Sequence, residues 1–268
     1  MRNLLVLPVL VVLACSGDHA ELPDAPLPAD ARPAVDVAAP PDVAPDPLAP
    51  DLACAGQPPP AGTGTGPISI TGKVFAIDHY EVAPAVGAMV ELRRRSDDSL
   101  VGTATAGAEG AFAIAAPSPI AGYFVVTASG HLPTRAFSDT PLAADEDAAL
   151  LVVDAAELAR WYGDAGTSLA AGARTVVTVV RDCAREPIDD STVVLAPAPA
   201  TLVYYDDPGK RWNPALGAAT NGIALATATA ASLTITPRSG VTSLPAEPVE
   251  PLPDVLTLVV ISPFASEL

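Results

Sequence analysis

From Ile68 to Ile77 the chain reads Ile-Ser-Ile-Thr-Gly-Lys-Val-Phe-Ala-Ile, with apolar and polar residues largely alternating. A period of two puts every second side chain on one face, so this run predicts a half-buried strand. Comparable runs predict strands over residues 88–93, 100–105, 111–115, 123–128 and 150–153. Gly, Pro, Asp and Ser interrupt them at 96–99, 107–110 and 117–119. A second series of strands is predicted over 174–182, 186–195, 201–205, 222–227, 232–237 and 255–262, with a long loop at 206–216. Between the two series, Leu158, Trp161 and Tyr162 form a stripe at helical spacing. Asp154 precedes it as an N-cap, Glu157 stands three residues later, and Gly163 and Gly166 end it. The pattern therefore predicts an all-β chain: one β-sandwich over 67–153, a helical connector over 154–173 with Trp161 as a core anchor, and a second sandwich over 174–268.

Before residue 67 the pattern is different. Residues 16–66 are built from Pro, Ala and Asp, with almost no aromatics and no period of 2 or 3.6. Such a segment cannot bury enough surface to offset its ordering entropy, so a disordered linker is expected over 15–66. Its prolines favour the extended polyproline form, which rises about 3.1 Å per residue. Residues 1–14 carry Arg2 and an apolar run from Leu4 to Leu13. That run is shorter than the roughly 20 residues a spanning helix needs, and it fits a signal-peptide core.

The stretch Val12-Leu13-Ala14-Cys15 resembles the lipobox of bacterial lipoproteins. The resemblance implies cleavage before Cys15, lipid on its thiol (palmitate among the acyl groups), and attachment to the cell envelope. Ser16 after the cysteine favours the outer membrane by the enteric sorting rule. The alternative is an ordinary signal peptide that happens to contain a cysteine.

Within 67–153, the ordered landmarks resemble the carboxypeptidase regulatory-like family. They are Gly72-Lys73-Val74, then Pro84-Ala85-Val86-Gly87-Ala88-Met89-Val90-Glu91-Leu92, then Glu109-Gly110-Ala111-Phe112, and finally Gly130-His131-Leu132-Pro133. The resemblance implies an Ig-like or transthyretin-like sandwich used as an accessory domain. Gly87 and Gly110 would serve tight turns with positive φ. Glu186-Pro187-Ile188-Asp189-Asp190-Ser191-Thr192-Val193-Val194-Leu195 repeats the second landmark, with Asp190 and Ser191 in place of Gly-Ala.

Composition narrows the function. The formal net charge is −17, which repels phosphate backbones and argues against nucleic-acid binding. The histidines are His19, His79 and His131, and no H-E-x-x-H, G-x-S-x-G or Walker pattern occurs. Intradiol dioxygenases use a related sandwich with two Tyr and two His on iron. His79-Tyr80, His131 and Tyr204-Tyr205 supply the residue types without that family's H-x-H spacing. The acidic pairs Asp97-Asp98, Asp189-Asp190 and Asp206-Asp207 lack the spacing of a calcium loop. No metal or cofactor is expected.

Trp212, Tyr204 and Tyr205 form the aromatic cluster outside the helix. Exposed, they would be a ligand platform for polysaccharide; otherwise they are core or loop anchors. Cys54 and Cys183 are left as disulfide candidates, since an oxidising envelope permits the bond. The expected protein is a non-catalytic, membrane-anchored lipoprotein presenting binding or scaffold domains, with a polysaccharide or an envelope protein as partner.

Overall fold

The computed structural model describes residues 49–59, 66–138 and 140–265. The first half contributes β1 (Ile68–Asp78), β2 (Glu81–Pro84), β3 (Met89–Arg94), β4 (Leu100–Thr105), β5 (Ala111–Ala116), β6 (Gly122–Thr127), β7 (Thr134–Ser138) and β8 (Glu146–Val153). Helix α1 (Ala155–Asp164) follows. The second half contributes β9 (Arg174–Val180), β10 (Ser191–Ala196), β11 (Thr201–Asp206), β12 (Arg211–Asn213), β13 (Ile223–Ala228), β14 (Leu233–Ser239), β15 (Thr242–Ser243), β16 (Glu247–Val249) and β17 (Leu256–Ile261). The fold is all-β, with sheets packed face to face.

The two halves repeat one plan. In the first, β1 pairs antiparallel with β5 and parallel with β8, while β6 bridges β3 and β7. In the second, β9 pairs antiparallel with β13 and parallel with β17, while β14 bridges β10 and β16. The turns repeat as well. The Val74 carbonyl accepts the Ala85 N–H at 2.9 Å, and the Val180 carbonyl accepts the Ile188 N–H at 3.0 Å. The Gly87 N–H donates to Ala106 and the Asp190 N–H to Ala219, both at 2.8 Å. Gly87 has φ 81° and Asp190 φ 56°, so the residue replacing glycine keeps its left-handed backbone. Gly110 and Gly222 sit over those two carbonyls with φ 73° and 74°. A Cβ there would lie 2.3 Å from the Val74 oxygen or 2.4 Å from the Val180 oxygen, so only glycine fits.

The two sandwiches are joined by hydrogen bonds as well as by the helix. β17 pairs in parallel with β7 of the first half and with β9 of the second. One nine-stranded sheet therefore runs β12-β11-β13-β9-β17-β7-β6-β3-β4. Its central strands are covered on both faces. On β9, Val177 and Val179 belong to the core shared with the first half, while Val176 and Val180 belong to the core under β10, β14 and β16. On β17, Leu256 and Leu258 face the first core and Val259 and Ile261 the second. This is why Arg174–Val180 and Leu256–Ile261 read as near-continuous apolar runs instead of alternating ones.

The linker expected over 15–66 is corrected at its C-terminal end. Residues 51–57 are strapped onto the second half. The Asp51 N–H donates to the Asp182 carboxylate at 3.1 Å, and its carbonyl accepts the Cys183 N–H at 2.8 Å. Leu52 packs against the second core. Gly56 donates to Pro263, and Gln57 accepts from Ala265, both at 2.8 Å. Cys54 and Cys183 are joined as a disulfide, with Cα atoms 5.8 Å apart. Proline-rich composition hid this segment, because its ordering comes from partners far off in sequence, at Asp182, Cys183, Pro263 and Ala265. Cys15 and His19 lie outside the described residues.

Candidate functional site: an aromatic cleft between the two sandwiches

The cleft begins at the turn between β1 and β2. Asp78 pairs with Glu81, which leaves His79 and Tyr80 as a two-residue loop with φ 53° and 59°. Such a turn normally takes Asn-Gly, because L-residues with larger side chains are disfavoured in the left-handed region. Here the turn is held from outside. The Glu157 carboxylate accepts the His79 N–H at 2.7 Å and the Tyr80 N–H at 3.3 Å.

Helix α1 places that carboxylate. The Asp154 side chain caps the helix by accepting the Glu157 N–H at 2.7 Å. Glu157 is fully buried, so its charge requires partners. The Trp161 indole N–H, one turn on, donates to it at 2.7 Å, and the Arg160 guanidinium forms an ion pair with it. The helix also holds Tyr80, whose hydroxyl donates to Asp164 at 2.5 Å. Burial, with Asp164 beside it, pushes the Tyr80 phenol well above its ordinary pKa.

The second half supplies the opposite wall. β11 pairs with β12 so that Tyr205 stands across from Trp212. Their rings meet edge to face at 5.4 Å. Trp212 lies 5.5 Å from Trp161 and Tyr205 lies 6.0 Å from Tyr80. β12 and the turn that joins it to β11 sit inside the loop expected over 206–216. Ile77, Val82, Leu151, Val177, Val179 and Ile223 complete an apolar lining, with Asp207 and Asn221 as its polar members. The cleft encloses about 80 Å³, well below the roughly 300–1,000 Å³ of sites that engulf a drug-sized ligand.

Three polar atoms of these walls have no hydrogen-bond partner among the described residues: Tyr205 Oη, Trp212 Nε1 and Asn221 Oδ1. A buried donor or acceptor left unsatisfied costs about 1–3 kcal/mol. Burial, reinforced by Asp207, Asp206 and Glu157, pushes the Tyr205 phenol up to about 12.

Of the two readings of Trp212, Tyr204 and Tyr205, the exposed ligand platform is corrected and the anchor alternative stands, since all three are buried. Trp212 and Tyr205 are 3% and 6% exposed, so no flat ring face is offered to a polysaccharide. Tyr204, the next residue on the strand, points into the other core, where its hydroxyl accepts the Val193 N–H at 3.2 Å. The dioxygenase residue types are likewise dispersed, since Tyr204 and Tyr205 face opposite sides of one sheet. His131 is bonded through Nδ1 to the Ser129 carbonyl at 2.9 Å.

Asp78, His79 and Glu157 offer three ligand atoms within 4.8 Å of one another. They do not fit a metal. Arg160 already neutralises Glu157 and lies 3.7 Å from Asp78, and a guanidinium in the cluster repels a cation. The acidic pairs sit at turns, with Asp206 the last residue of β11. Asp97, for example, accepts the Ser99 N–H at 3.1 Å, and its carboxyl is held below the ordinary value chiefly by hydrogen bonds from Ser99.

No protein-family model matches the chain, and no curated protein does. Among solved structures, it is similar to the shaft pilin SpaA of Lactobacillus rhamnosus GG, at 9% identity over 74% of this chain and 98% of that one, with a TM-score of 0.25. The minor pilin GBS52 of Streptococcus agalactiae is similar at 11% identity over 73% and 94%, TM-score 0.21. Hydroxyquinol 1,2-dioxygenase from Pseudomonas putida is similar at 15% identity over 40% and 62%, TM-score 0.25. Scores this low assign no function.

Proposed function

We propose that the chain is a lipid-anchored bacterial envelope protein whose folded part is a rigid, non-catalytic presenting scaffold. The observation that carries this reading is the strap at residues 51–57, fixed by the Cys54–Cys183 disulfide. Disulfides of this kind persist in oxidising compartments, which agrees with the export signal read in residues 1–14. The strap also delivers the chain from Cys15 to a defined point on the body. The intervening 35 or so residues reach at most about 110 Å in polyproline form. A scaffold role is supported by how His79 and Glu157 are used: one lies in a turn and the other is saturated by that turn, Trp161 and Arg160. In this reading the anchor lies in the outer membrane, and the partner is an envelope component.

The reading is tested by labelling cells with a fatty-acid probe and fractionating them. Wild type should carry label and sediment with membranes, and Cys15→Ala should lose both. A Cys15→Ala protein that remains labelled overturns the anchor site.

A further inference from the structure

We propose that the cleft between the sandwiches is a binding site for a compact neutral alcohol, or for the hydroxyl end of a larger apolar molecule. The argument is one of matching. A hydroxyl offers one donor and two acceptor lone pairs. The cleft holds two unsatisfied donors, Trp212 Nε1–H and Tyr205 Oη–H, and one unsatisfied acceptor, Asn221 Oδ1. All three belong to side chains that line the same space. Trp212 and Tyr205 are more than nine-tenths buried, so bulk water offers these groups little competition for an entering hydroxyl. Apart from Asp207, the rest of the lining is aliphatic or aromatic, and it accepts a hydrocarbon body.

Size and charge narrow the class. An apolar cavity of about 150 Å³ holds benzene, so a space of about 80 Å³ suits a body of roughly three or four carbons. Asp207 stands in the lining and Glu157 lies behind Trp161. Glu157 is already neutralised by Arg160, so the Asp207 carboxylate is what opposes a carboxylate ligand of the same shape. A sugar ring is excluded differently, because most of its hydroxyls would find no partner against Ile77, Val82, Leu151 and Ile223. The location fits the reading, since ligand sites favour junctions between domains.

Trp161 and Trp212 are the two tryptophans of the chain, and their rings are 5.5 Å apart at this cleft. Intrinsic fluorescence excited above the tyrosine band therefore reports this site. The full chain is titrated with 1-propanol and 2-methyl-1-propanol, and with isobutyrate as the anionic control. The alcohols should give a saturable emission change, and isobutyrate none. Tyr205→Phe and Asn221→Leu should each weaken alcohol binding about threefold to tenfold, the loss of about one net hydrogen bond. In wild type, the Trp212 indole N–H resonance should move downfield with alcohol, while that of Trp161, already bonded to Glu157, stays in place. That measurement stands even where a variant fails to fold. An unsaturable response, equal binding of isobutyrate, or an unmoved Trp212 resonance overturns the proposal.

Discussion

The Glu157 carboxylate and the His79 backbone N–H meet at 2.7 Å across 78 residues of sequence. This contact ties helix α1 to the turn between β1 and β2, and the same carboxylate holds Trp161 at the cleft wall. Removing it leaves three N–H donors without an acceptor and leaves Arg160 with only Asp78, 3.7 Å away. Glu157→Ala should therefore destabilise the fold by about 3–5 kcal/mol, as breaking a buried ion pair does. Urea unfolding monitored by far-UV circular dichroism measures this, and a loss below about 1 kcal/mol would contradict it.

His79 is held in the left-handed region with its imidazole exposed beside Asp78 at 2.6 Å. An exposed pair of this kind contributes little. Asn tolerates the backbone conformation better, so His79→Asn should raise stability by up to about 1 kcal/mol. The thermal midpoint reports the sign. A fall would mean that the ring has a structural role.

Tyr205 gives the fold a pH signature. Its phenol is pushed from 10.0 to about 12, first by burial and then by Asp207, Asp206 and Glu157. The folded state thus holds a proton that the unfolded state has released. The stabilisation is fully present below pH 10 and is lost as pH rises toward 12. Denaturant midpoints across that window should fall more steeply in wild type than in Tyr205→Phe. Equal slopes would place the phenol in contact with water.

The strap predicts a stability effect confined to oxidised protein. Cys54 and Cys183 are 129 residues apart, and closing a loop of that length nominally contributes about 4–5 kcal/mol in the chain-entropy account. Replacing both cysteines with serine should cost about 3–5 kcal/mol in urea, and reduced wild type should match the variant. Identical unfolding of oxidised wild type and variant would show that the strap adds nothing.

Much of the fold was legible from local pattern. The alternation in Ile68–Ile77 marks β1, and Asp154 before the Leu158-Trp161 stripe marks α1 with its cap. Glu157 was visible as a capping-box residue, but its carboxylate serves His79 and Tyr80 instead of the helix terminus. That choice depends on a distant hairpin, which no local rule reaches. Strands β2, β7, β12, β15 and β16 were missed because they are short and owe their order to β1, β17, β11 and β14. The fusion of the sandwiches through β17 left one signal, the absence of alternation in Leu256–Ile261, which marks a strand covered on both faces. Trp212 and Tyr205 stood out in the sequence, but their pairing with Tyr80 and Trp161 depends on the junction between the halves.

The central claim is an exported, lipid-anchored chain whose tether is stapled to its body. Intact-mass and peptide mapping of the protein extracted from host membranes under non-reducing conditions tests it most directly. The account predicts an N-terminus at Cys15 carrying acyl mass, and one peptide pair linked through Cys54 and Cys183. A chain beginning elsewhere without lipid, or one with Cys54 and Cys183 as free thiols, would contradict it.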